Sequence, residues 1–190
     1  MLWCISLPII IETPMILGLW LGNNVPEYTV VFTRLILLTA LVSAYANPTS
    51  AIAYATGNIK RFISWVSSLN LLIVPIGYLF LKLGYDPEST MIISLIMTIL
   101  VQIVRLFVLK KLLYFSILDY IKKVCIPTFL VFLLSPIIPY CIKQIAQDSL
   151  IYSILICLIS AISVVIFMWF IGLNKEEKNI ILSKIRIRHK

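Results

Sequence analysis

One carboxylate stands where a carboxylate is expensive. Glu12 sits inside Leu7-Pro8-Ile9-Ile10-Ile11-Glu12-Thr13-Pro14, far from either end of an apolar run. An ionisable group at that depth in a membrane costs a few kcal/mol, so it must meet a cavity, a counter-charge or a proton. Arg34 is the predicted partner, about two turns into the next apolar run, which would travel in the opposite direction. Counted along the two helices, the groups are offset by roughly one turn, within the reach of an arginine side chain. Either the two line a polar cavity, or they neutralise each other while Arg34 snorkels outward.

Asn47 and Asn70 are the other candidate cavity residues, each close to a proline. Pro14, Pro48 and Pro75 are the hinge candidates, because proline removes a backbone donor and frees the carbonyl four residues earlier. For Pro48 that carbonyl belongs to Ala44. Ser43, Ala44, Ala46, Ser50, Ala51, Ala53 and Ala55 surround it, and small residues at this spacing let helices approach closely. Pro127, Pro136 and Pro139 crowd a later run. Broken helices of this kind serve rocking motions in transporters, and they serve packing equally.

Other chemistry is missing from the sequence. Cys4, Cys125, Cys141 and Cys157 lie in apolar stretches without paired spacing, and read as packing residues. His189 is isolated in a basic tail, so neither a metal site nor a cofactor is expected. No phosphate-binding glycine loop, paired acidic motif or Ser/His/Asp set appears, which argues against an enzyme.

What must position these residues is a set of helices in lipid. Of 190 residues 61% are hydrophobic and 13% charged, more apolar surface than a soluble globule can hide. Six runs, at 2–22, 29–55, 62–83, 90–109, 117–141 and 149–173, each approach the ~20 residues a bilayer requires. Inside them the backbone must be helical, since lipid offers its polar groups no partner. The expectation is an all-α polytopic bundle of about six helices at 1–173, followed by a cytoplasmic basic tail at 174–190. Leu21–Glu27 and Gly84–Glu88 read as turns, and Thr56-Gly57-Asn58 as a helix end. No basic segment precedes the first run, so no signal peptide is expected.

The net charge of +8 is distributed as a topology signal. Lys60, Arg61, Lys110, Lys111, Lys122 and Lys123 fall in alternate connections, and the tail adds six more basic residues. The other connections carry Glu27, Asp86, Glu88 and Asp148, with Lys82 and Lys143 as exceptions. Both termini are therefore predicted to be cytoplasmic. Nucleic acid is not an expected partner, because no groove-reading motif accompanies the charge. In the tail, Asn174 can cap a helix through Glu177, with Ile180, Ile181 and Ile185 as an apolar stripe. Such a helix would lie on an anionic leaflet; a frayed tail fits as well.

Several stretches carry a family likeness. Ile16–Gly22, Val25-Pro26-Glu27-Tyr28, Ala55–Lys60, Pro75–Glu88 and Gly172–Glu177 resemble bacterial polysaccharide flippases of the O-antigen transporter type. These belong to the superfamily of multidrug and oligosaccharidyl-lipid exporters. The resemblance implies the last six helices of a fourteen-helix, two-lobed carrier in the bacterial inner membrane. It further implies an isoprenoid-pyrophosphate-linked oligosaccharide as cargo, with Arg34, and nearer the interfaces Arg105 and Lys82, as cationic candidates for the pyrophosphate. The first lobe would come from a separate chain or a second copy. Two alternatives stand beside this: a drug/cation antiporter using Glu12 as coupling carboxylate, and a non-transporting membrane subunit.

Overall fold

The computed structural model describes residues 2–22, 24–55, 59–113, 116–145, 149–173, 177–179 and 183. The turn residue Asn23, the helix end at 56–58 and almost all of the basic tail lie outside them. Every regular element among the described residues is helical. Five helical stretches are long and apolar enough to cross a membrane: Thr29–Tyr54, Phe62–Lys82, Glu88–Lys111, Leu118–Ile145 and Leu150–Gly172. A sixth is broken into two helices, Leu2–Ile11 and Thr13–Leu21. This is the all-α bundle that the apolar runs predict.

Proline explains most of the subdivision. α1 (Leu2–Ile11) and α2 (Thr13–Leu21) part at Glu12, two residues before Pro14. The ring at 14 cannot donate to the Ile10 carbonyl, so the ladder fails there. α3 (Thr29–Ala44) and α4 (Ala46–Ala55) part at Tyr45, three residues before Pro48. α5 (Ile59–Leu71) and α6 (Ile73–Lys82) part at Leu72, again three before Pro75. α7 (Glu88–Leu113) contains no proline and runs unbroken for 26 residues. After the short α8 (Ile117–Tyr120), Ile121–Cys125 is wound as a π-helix ahead of Pro127. The extra residue per turn absorbs the hydrogen bond that Pro127 cannot make. α9 (Ile126–Leu134) and α10 (Ile137–Ile145) part at Ser135-Pro136, and α11 (Leu150–Phe167) ends in a second π-wound segment, Met168–Gly172.

Glycine ends two of these helices. Gly22 follows α2 with φ 72°, and Gly84 follows α6 with φ 85°, a backbone region that other residues enter at a cost. At Gly84 the closure is complete. Tyr85 N–H donates to the Phe80 carbonyl at 3.2 Å and Gly84 N–H to Leu81 at 3.1 Å. The Phe80 and Tyr85 rings pack 5.3 Å apart across the turn. This is the Schellman arrangement with its accompanying apolar contact.

The chain forms two compact units, one of Trp3–Glu12 with Leu118–Lys190, the other of Thr13–Ile117. In the second, α7 is the central helix, packed by α3, α4, α5 and α6. Its tightest apolar cluster is Ala53, Phe62 and Leu109, with Val66 and Val108 against it. In the first unit, α9 and α10 pack on α11, and buried Leu7, Val131, Ile156 and Val164 form its core. Large apolar side chains cover the outside of both, among them Leu71, Val74, Phe129 and Ile151. In lipid such side chains lose nothing by exposure, so close packing and interhelical hydrogen bonds must hold the helices together.

Candidate functional site

In the first unit the break between α1 and α2 leaves the Ile11 carbonyl at a helix end. Lys143 on α10 donates to it from Nζ at 2.7 Å. The same ammonium lies 2.9 Å from Glu12 Oε1. Glu12 is 4% exposed, whereas about a third of the Lys143 side chain remains accessible. The buried carboxylate thus has its counter-charge, and the lysine stem reaches it from the last turn of its helix. Sequence reasoning missed Lys143 by ending this span at residue 141. The helix continues to Ile145 and carries the lysine with it.

A second polar network in the same unit repairs a proline break. Pro139 has no N–H to give the Ser135 carbonyl four residues back. Ser163 on α11 replaces it, its hydroxyl donating to that carbonyl at 2.8 Å in a buried position. The Ser135 hydroxyl in turn accepts from Trp3 Nε1 at 2.7 Å, and the Trp3 ring lies 4.2 Å from that of Phe132. Two helices, α1 and α11, are thereby tied to the serine at the break between α9 and α10. Trp3, Ser135 and Ser163 carried no motif, so the sequence offered no signal for them.

In the second unit Arg34 is half-buried on α3, and its Nε donates to the hydroxyl of fully buried Thr13 at 3.4 Å. The Tyr45 carbonyl, at the break before Pro48, accepts from Gln102 Nε2 at 3.2 Å and from the Thr49 hydroxyl at 3.1 Å. The break at this proline is therefore pinned to α7, one residue beyond the Ala44 carbonyl to which Pro48 cannot donate.

Asn47, Pro48, Asn70, Pro75 and Pro14 are all exposed. On α5 this exposure has a pattern. Phe62 is buried and Val66 and Leu69 half-buried on the face turned to the unit's core. Lys60, Ser64, Ser67 and Asn70, three and four residues apart, are exposed away from that face with Ser68 beside them, and exposed Ile63 and Leu71 lie among them. Among spans covered outside by leucine and isoleucine, this one presents hydroxyls and an amide. The serines at helical spacing were readable in the sequence as a polar stripe.

Among the described residues no three metal-ligating side chains come together. Comparisons with models of protein families, with curated proteins and with solved structures find no match for this chain.

Proposed function

We propose that this chain is part of a transporter that moves lipid-linked oligosaccharides across the bacterial inner membrane, with both termini in the cytoplasm. One observation carries the transport reading: Ser64, Ser67 and Asn70 are exposed on α5 inside the span Phe62–Lys82, with exposed Lys60 just before it. Lipid gains nothing from such side chains, and polar residues within spans turn toward a water-filled path or a partner. Asn47 and Ser43, exposed one turn apart in the preceding span, extend the same character. Helices broken at Tyr45 and Leu72 beside these residues suit a pathway that changes shape. The cargo comes from the resemblance of Ile16–Gly22 and Pro75–Glu88 to polysaccharide flippases. The orientation comes from the alternating basic connections.

The test is genetic and chemical. Deleting the gene from its host should abolish the surface polysaccharide and leave its lipid-linked precursor on the cytoplasmic side. Ser67→Leu with Asn70→Leu, expressed at normal level, should reduce export at least several-fold. Normal export in the deletion strain would rule the reading out.

A second reading has its own observation. A carboxylate 4% exposed beside an ammonium, as in Glu12–Lys143, is a site where a proton or cation can exchange for the lysine. Antiport of a drug or cation would use it. Loss of drug tolerance with intact polysaccharide on deletion would select this reading.

A further inference from the structure

Arg105 lies on α7 within the span Glu88–Lys111, about two turns before its basic end. It is 8% exposed, yet its buried Nε and Nη1 have no hydrogen-bond partner among the described residues. Below it is the Phe62 ring, 5.8 Å from the guanidinium carbon to the ring centroid. Phe62 is held in turn by an edge-on contact with Tyr54 at 6.2 Å and by the apolar cluster of Ala53 and Leu109. A guanidinium offers five donors in a fixed fork, and a ring face satisfies its charge in part but none of its hydrogen bonds.

The carboxylates of this unit are Glu27, Asp86 and Glu88, and among the described residues none of them pairs with Arg105. Neither 46–85 nor 89–117 contains Asp or Glu. Glu88 is at the far end of the same helix, about 25 Å away at 1.5 Å per residue. Instead the surroundings add positive charge, with exposed Lys60 at the start of α5 and exposed Lys110 and Lys111 at the end of α7. A buried charge persists when an opposite charge with its own acceptors meets it.

We propose that Arg105, backed by Phe62 and with Lys60, Lys110 and Lys111 at the same end of the helices, holds the phosphate of one anionic phospholipid at the basic end of the second unit. Nε and Nη1 are covered in this conformation, so the guanidinium swings outward for the oxyanion to accept from it, and the lysines at that end add positive charge at the headgroup level. Exposed Ile52 and Tyr54, on the helix before the site, offer the acyl chains an apolar flank. A lipid is favoured over a soluble anion because the donors lie inside a span whose outside is apolar. This inference is independent of the translocated cargo.

The experiment uses the full chain purified in a neutral detergent. Micelles doped with phosphatidylglycerol should raise its melting temperature by about 3–8 °C over micelles doped with phosphatidylethanolamine. That difference should vanish in Arg105→Gln and persist in part in Arg105→Lys, which keeps charge but not the fork. An equal difference in wild type and Arg105→Gln overturns the proposal. Inorganic pyrophosphate added without anionic lipid should produce no shift; an Arg105-dependent shift with it alone assigns the site to a soluble anion and overturns the lipid. Native mass spectrometry of the wild type needs no variant. It should find one phosphatidylglycerol retained in preference to phosphatidylethanolamine at equal mole fraction, and absence of that preference also overturns the proposal.

Discussion

Glu12 and Lys143 show how a single charge organises its neighbourhood. The carboxylate is almost completely covered, and the ammonium 2.9 Å away also holds the open end of α1 through the Ile11 carbonyl. Removing the lysine leaves a buried charge and an unfilled carbonyl together. Lys143→Met should therefore destabilise the protein in micelles by about 1–3 kcal/mol, the partial exposure of the lysine keeping the figure low. Glu12→Gln in the same chain should restore part of that loss, with a coupling of about 0.5–3 kcal/mol in a double-mutant cycle followed by thermal unfolding. Strict additivity of the two substitutions would show that the pair is contact without interaction. Glu12 itself was legible as an anomaly from its apolar neighbours, but its partner was not. Lys143 lies at the end of a span, where sequence reads a lysine as a boundary signal, and only the length of α10 shows it to be part of the helix.

At the scale of the element, the prolines were informative about where helices break and silent about how each break is repaired. The Ser135 carbonyl is served by Ser163 from another helix because Pro139 cannot serve it. Ser163→Ala should cost about 1–2 kcal/mol, the penalty of an unmet buried carbonyl. In a Pro139→Ala background residue 139 regains an N–H, and Ser163→Ala should then cost measurably less. Equal cost in both backgrounds would mean that the serine bond contributes nothing beyond packing. Gly84 supplies a second element-level test. With φ 85° inside a Schellman closure, Gly84→Ala should lower stability by about 1–2 kcal/mol. Gly18 is the control: it lies inside α2, and an added methyl there would meet nothing within 4 Å, so Gly18→Ala should be neutral or slightly stabilising. The spans, by contrast, were read from composition to within a few residues, because twenty apolar residues in lipid have no other conformation available.

For the molecule as a whole, the question is which of its exposed surface meets water. Exposure alone cannot answer it, since Trp65 at 61% and the serines of the opposite face of α5 are alike uncovered by protein. Chemistry separates them: an indole is at home against acyl chains, and a column of Ser64, Ser67 and Asn70 is not. The sequence contained this column and the alternating basic connections. What it lacked was the side of α5 that packs, which Phe62 sets by docking on Ala53 and Leu109. A cysteine scan in a background with Cys4, Cys125, Cys141 and Cys157 replaced by alanine reads both features at once, because maleimide reacts with thiolate, which forms in water and not in lipid. A membrane-impermeant maleimide should label Asn24→Cys and Tyr85→Cys in intact cells, and Lys60→Cys and Lys110→Cys only after permeabilisation. Within the span, Ser67→Cys should react and Trp65→Cys should not, although only Val66 separates the two. If neither reacts, the polar face is covered by another protein and the chain is a subunit without a water path of its own. If both react at the same rate, α5 does not border lipid at all, and the transport pathway cannot be assigned to one of its faces.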